Sequence, residues 1–413
     1  MARVVRTHRR RRQASRRRAE PMSARTRQRI YTVGALLFGL LAVGALALAP
    51  KPAAEVPRTD GVKSDVRLRF ISAFPDADAP PLRRPVGVVA VGDRVYVVDS
   101  VAGVVRVYDD RGIERGVVGE GTLDVPVYAA VDAERGVLYV TDRAKGALYL
   151  FGLDDGALVG TLAPIAAEGS TIATAWAPLA LDVAESGVLV VSDVLARHRV
   201  LLLEPDGRII REVGGAQAAA ETSGVAVALD FPNAVRATDD EVWVADSNNK
   251  RALVFGRDAG FRRVVPTGGL VRGFDFVPPV EGSAEATLVA FVDTLGGGIF
   301  LMDLSGSSLG RFGGPGSTEG LLAFPNDVSV DAERGRLYVA DTGNRRVQVW
   351  DVVPASRADG EMPLLGGVRG QALSRWIALV AAALAGLMAY RAYRARGAAR
   401  PSGGTPDAWV ESE

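Results

Sequence analysis

FPNDVSVDAERGRLYVADTGNRRVQVW, Phe324 to Trp350, is the stretch whose reading decides the fold. Pro325 opens an apolar, alternating run that ends at Asp331; a proline is tolerated at the first residue of a strand because it breaks no ladder there. Asp331-Ala-Glu-Arg-Gly335 then supplies a hairpin turn, with Gly335 free to take the positive φ such turns demand. RLYVAD, rich in β-branched and aromatic residues, returns to Asp341, and RVQVW alternates again after a short polar turn. The 27 residues read as three short antiparallel strands.

The pattern recurs outward from this unit. Segments ending in Asp stand at VYVVDS (Asp99), LYVTDR (Asp142), LVVSDV (Asp193), VWVADS (Asp246), VAFVDT (Asp293) and LYVADT (Asp341), 43 to 53 residues apart. That period suits a four-stranded propeller blade and exceeds leucine-rich or ankyrin units. Pro-led strands precede five of them, at Pro85, Pro126, Pro178, Pro232 and Pro325, while the fifth repeat lacks the Pro. The DAERG turn occurs a second time at Asp132, and a weaker fourth strand follows the units before the last, as at residues 208–213.

The repeat resembles the NHL repeat, with blade six in register at Asp341, Asn344, Arg346, Val347 and Trp350, and blade four at Asp246, Asn249, Arg251 and Phe255. Blade three has His198 where the family has Arg, and blades one, two and five have Val104, Ala147 and Gly298. The resemblance, to a membrane-anchored bacterial-type member, implies an all-β, six-bladed propeller over residues 65–353. The sixth blade ends on its third strand, so residues 66–74 (VRLRFISAF) are expected to supply the fourth, a closure that leaves no exposed edge. Both linkers then leave from the bottom face, and the top face points away from whatever anchors the chain.

Composition narrows the chemistry. There is no Cys, which excludes disulfides, thiolate metal sites and a Cys nucleophile. His8 and His198 are the only histidines, too few for a zinc site or a Ser-His-Asp triad in the repeat region. Residues 1–29 carry twelve Arg and one Glu, so with a net charge of +1 the rest of the chain is about ten units negative. An acidic body disfavours nucleic-acid binding by the propeller.

Residues 30–49 (IYTVGALLFGLLAVGALALA) contain no charge and are long enough to cross a bilayer. The competing reading is a cleaved signal peptide ending at Ala47-Leu48-Ala49, which Pro50 disfavours. A second uncharged run, residues 376–390 from Trp376 to Tyr390, is preceded by Arg375 and followed by Arg391, Arg394 and Arg396, and a span is expected over residues 372–393 with those Arg side chains reaching the interface. The positive-inside rule puts the tails, 1–29 and 394–413, in the cytoplasm. Linkers 50–64 and 354–371 then carry the propeller outside it, periplasmic or on the cell surface. The alternative start at Met22 stays open.

The six repeated Asp residues, one per blade at one position, are expected to cap the turns that follow them. Gly306-Ser-Ser-Leu-Gly310 resembles a nucleophile elbow, but that motif needs a strand-to-helix turn in an α/β sheet. Side chains just after the strand-opening Pro should face the axis, which puts Asn233, Asn326 and Asp327 at the channel mouth, with Arg272 and Tyr128 in comparable places. The expectation is a binding or scaffold module for a protein, peptide or glycan, with no cofactor. The alternative is a calcium-dependent lactonase or lyase of the gluconolactonase-like propeller type, with Ca²⁺ on the mouth oxygens. Oligomeric state is open.

Overall fold

A computed structural model describes residues 64–76, 79–195, 198–214, 227–238 and 240–356. The expected spans at 30–49 and 372–393, both tails and nearly all of both linkers lie outside the described residues. Among the described residues no helix is long and apolar enough to cross a membrane.

Among the described residues twenty-four strands form six four-stranded antiparallel sheets. β1 (Val66–Phe74) precedes the first blade. Blade one is β2 to β5 (Pro85–Val91, Arg94–Asp99, Val104–Asp109, Glu114–Val118) and blade two β6 to β9 (Pro126–Asp132, Val137–Asp142, Ala147–Gly152, Leu158–Leu162). Blade three is β10 to β13 (Pro178–Val183, Leu189–Asp193, Arg199–Leu203, Ile209–Val213) and blade four β14 to β17 (Pro232–Ala237, Glu241–Asp246, Arg251–Gly256, Phe261–Pro266). Blade five is β18 to β21 (Val271–Val277, Leu288–Asp293, Gly298–Asp303, Ser308–Gly313). Blade six combines β22 (Asp327–Asp331), β23 (Arg336–Asp341) and β24 (Arg346–Pro354) with β1, in the order β1-β24-β23-β22.

The ring therefore closes as expected, through an N-terminal strand. Val66 lies opposite Pro354 and Phe74 opposite Val347, and the Phe70 ring meets Trp350 edge-on at 5.8 Å. The Ala355 amide also donates to the Asp65 carbonyl, so the chain enters and leaves the propeller side by side. Because the strands antiparallel one another, that point lies on the face carrying the β2–β3 and β4–β5 turns. The repeated Asp residues and the starts of the inner strands lie on the opposite face, here the top.

Alternation buries one apolar row on each side of a blade, and the rows meet between neighbours. Six apolar clusters result, one at each blade junction. The core is a ring of blade junctions around the axis.

Side chains of the inner strands tie neighbouring blades together there. Asp182 accepts from the Ala237 amide at 2.8 Å, Asp275 from Val330 at 2.8 Å and Asp327 from Val88 at 3.0 Å. Gly273 lets blades five and six close up, since a Cβ there would stand 2.5 Å from Asp327 Cα.

One register expectation needs correction. Asp193 pairs across the ladder with Arg199, as Asp246 pairs with Arg251 and Asp341 with Arg346. The turn after Asp193 is one residue longer, so Arg199, not His198, holds the repeat's Arg position.

Candidate functional site

Each repeated Asp ends the second strand of its blade and is buried. Asp341 accepts from the Ala323 amide at 2.7 Å and from Asn344, Arg346 and Gln348 side chains at 2.8 to 2.9 Å. Asp246 accepts from Asp230 N, Asn249 and Arg251, and Asp193 from Ala177 N, Leu195 N and Arg199. Asp99 takes the Arg83 and Arg84 amides, and Asp142 those of Asp124, Val125, Ala144 and Lys145. Asp293 has the sparsest set, the Leu295 amide at 3.2 Å. Asp142, Asp193, Asp246 and Asp341 thus clip the segment entering the blade to the turn that follows the Asp, while Asp99 holds only the entering segment and Asp293 only the turn.

The entering segments build the site. In blades one, two, four and five the ladder skips one residue just after the strand opens, at Val86, Val127, Asn233 and Arg272. Such a bulge re-aims the extra side chain. Here those side chains, with Leu179 and Asn326 of blades three and six, converge on a cavity of about 330 Å³ at the top of the axis.

Four of the five expected mouth residues, Tyr128, Asn233, Arg272 and Asn326, line this cavity. The Asn326 side chain is fixed, its Nδ2 donating to the Val86 carbonyl at 2.5 Å while its Oδ1 accepts from Arg272 Nη1 at 3.3 Å. Arg272 Nε is buried without a partner. Tyr128 is buried, and its hydroxyl donates to the Arg272 carbonyl at 2.6 Å. Burial raises its pKa well above the ordinary tyrosine value, so it is a donor and not a phenolate.

Asp327 does not reach the mouth, and the expected ligand position must be corrected. It begins β22 and is buried, with one oxygen on Val88 N and the other 3.7 Å from Arg236 Nη2. Arg236 Nε also stands 3.3 Å from Asp275. Burial lifts Asp327 to about 7, against the pull of Arg236, and Asp182 to about 6 for the same reason. Although burial opposes its charge, Asp275, Asp327 and Asp182 hold Arg236 protonated above the ordinary arginine value.

Calcium does not fit the mouth. A hard cation takes several carboxylate or carbonyl oxygens, whereas among the described residues the cavity is lined by Arg84, Arg143 and Arg272 and by no carboxylate. Gly306-Ser-Ser-Leu-Gly310 spans the β20–β21 turn and the start of β21, where Asp303 accepts the Ser305 and Ser307 amides. It is a hairpin turn on the face opposite the cavity.

Sequence reasoning missed Arg84 and Arg143. Both were within its reach, since Arg84 precedes a strand-opening Pro and Arg143 follows a repeated Asp. It also missed an apolar rim on the top face. Leu295, 68% exposed, and Phe324, 61% exposed, stand there with Val101, Val125, Leu195 and Phe231. Phe231 and Phe324 both hold left-handed backbone, φ 54° and 48°, a rare state for a bulky residue. His198 supports Phe231 by accepting its amide on Nδ1 at 3.1 Å and packing on its ring at 4.6 Å. That Nδ1, used as an acceptor, is not a donor to the Asp230 oxygen 3.4 Å away.

Comparison with known proteins agrees with this architecture. The profile of the NHL repeat matches residues 322–350. A gluconolactonase from Xanthomonas campestris is 19% identical, with a TM-score of 0.52 over 74% of this chain and 97% of that one. An auxiliary nutrient binding protein from Bacteroides thetaiotaomicron is 13% identical, with a TM-score of 0.51 over 69% and 73%. A streptogramin B lyase, also 13% identical, gives 0.46 over 71% and 100%. For the gluconolactonase and the nutrient binding protein, at these identities, the likeness is one of fold. No curated protein matches the sequence.

Proposed function

We propose that this protein is a membrane-anchored module that holds its propeller outside the cytoplasm and binds a protein or peptide partner on the top face. The observation that carries this reading is the top face itself. All six blades contribute lining residues to one cavity, exposed apolar residues share its face, Val125 and Phe231 among its lining, and both propeller ends leave on the opposite face. Exposed apolar groups rimming a pocket mark interaction sites. Two of them are held in strained backbone, and strain at a surface loop points to function.

The two uncharged runs and their Arg flanks support the anchor and its orientation. Among the described residues the cavity presents guanidinium, amide and hydroxyl groups beside apolar ones such as Val86, Val127 and Leu179, with no carboxylate or imidazole to move a proton, which favours binding over catalysis. The calcium-dependent lactonase reading lacks oxygen ligands at the mouth, and the gluconolactonase likeness adds only fold.

Site-specific photo-crosslinking in native membranes tests the proposal. A crosslinker at Leu295 on the top face should trap a partner, and one at Val159, equally exposed on an outer strand, should not. Equal products from both positions, or none from Leu295, would remove the top face as the binding surface.

A further inference from the structure

Charge gives the partner a chemical class. Arg84, Arg143 and Arg272 all line the cavity, although the chain beyond residue 29 is about ten units negative. The Arg84 and Arg143 side chains have no hydrogen bond or ion pair among the described residues, and Arg272 keeps a buried Nε without a partner. Arg272 Nη1 has only the long bond to Asn326. Asp124 and Asp230 lie on neighbouring segments, but neither lines the cavity. Three arginines lining one concave site, with no counter-ion among the described residues, leave a positive field that a carboxylate would neutralise, and the planar fork of Arg suits it.

Size and rim set the rest. The cavity of about 330 Å³ is near the lower end of small-ligand pockets, roughly 300–1,000 Å³, room for one side chain or chain terminus. Phe231 lines it, and Leu295, Phe324 and Leu195 are exposed on the same face, which suits apolar residues flanking that anchor.

We infer that the top face recognises a peptide segment that inserts a carboxylate, from an Asp or Glu side chain or from a C-terminus, among Arg84, Arg143 and Arg272, with apolar neighbours on the rim. The inference rests on the binding function proposed above. It adds the charge of the anchor and the residues that read it.

Fluorescence anisotropy on the full chain in detergent micelles provides the test. The probes are the acetylated, amidated pentapeptide Ala-Leu-Glu-Leu-Ala, its Gln and Lys counterparts, and the Gln peptide with a free C-terminus. The Glu peptide or the free-acid peptide should bind at least about tenfold tighter than the amidated Gln and Lys peptides. Preference for the Glu peptide assigns the anchor to a side chain, and preference for the free acid assigns it to a terminus. Arg143→Gln, which removes a side chain without partners, should keep the wild-type melting temperature and lose most of that preference, as should Arg272→Gln. Equal or tighter binding of the Gln or Lys peptide overturns the inference, as does absence of binding by both carboxylate peptides. Leu295 crosslinks that survive either result leave the docking face standing and remove only the carboxylate; loss of both removes both.

Discussion

The Tyr128 hydroxyl donates a 2.6 Å hydrogen bond to the Arg272 backbone carbonyl, joining blade two to blade five, which stands diametrically opposite in a ring of six. The bond spans the axis beside the cavity, in a cluster where Arg272 also meets Asn326.

Tyr128→Phe should keep the fold and leave that carbonyl short of a donor. Such a loss costs about 1–3 kcal/mol, visible as a fall of several degrees in melting temperature. Because the Arg272 backbone is then less firmly placed, carboxylate peptides should bind more weakly. An unchanged melting temperature would mean that the bond across the axis is dispensable.

The Arg236 cluster sets a pH dependence. Asp327 near 7 and Asp182 near 6 bind protons in the folded protein that they release in the unfolded chain, where an Asp titrates near 3.9. Folded protein thus holds more protons between about pH 4 and 7, and linkage makes stability fall as pH rises through that window. Asp109, Glu241 and Asp303 are shifted downward and act below it. Melting temperature should therefore drop from pH 5 to pH 8, and Asp327→Asn should flatten the slope. A wild-type slope that rises, or one unchanged by the substitution, would contradict the cluster's protonation.

The repeated Asp residues should differ in cost. Asp341→Ala strands Arg346, Gln348, Asn344 and the Ala323 amide, and removing one partner of a buried charged network typically destabilises by about 3–5 kcal/mol. Asp293→Ala strands chiefly the Leu295 amide, and its loss should be near the roughly 1 kcal/mol of a single hydrogen bond. Urea unfolding of the two variants would show the order. The reverse order would sink the clip role.

Phe324 should separate stability from binding. Its φ of 48° suits glycine, and a left-handed backbone costs an L-residue about 1–2 kcal/mol. Since the ring is 61% exposed, Phe324→Gly loses little packing and should leave the melting temperature unchanged or raised. Peptide affinity and Leu295 crosslinking should fall. A clear loss of stability would mean that Phe324 serves the fold instead of the rim.

The strands were legible because their signals are local. Pro325, the DAERG turn, Gly335 and the alternation around Asp341 lie within one blade, and the interval from Asp99 to Asp341 counts the blades. Phe231, Arg84 and Arg143 escaped because their exposure or convergence depends on neighbouring blades. Asp327 was misplaced for a related reason. Two residues after a strand-opening Pro, it passes beneath the mouth, where Val88 of blade one and Arg236 of blade four surround it.

By itself, then, the sequence determined the all-β repeat, the number of blades, closure by residues 66–74, and the absence of cysteine and multi-histidine chemistry. Those follow from periodicity and composition, which need no partner in space. Only the tertiary structure decided that Arg84, Arg143 and Arg272 share one cavity, that Arg236 gathers three carboxylates from other blades, and that Arg199 replaces His198. Ring closure brings residues more than a hundred positions apart to a common axis, and the electrostatics of that axis come from their sum.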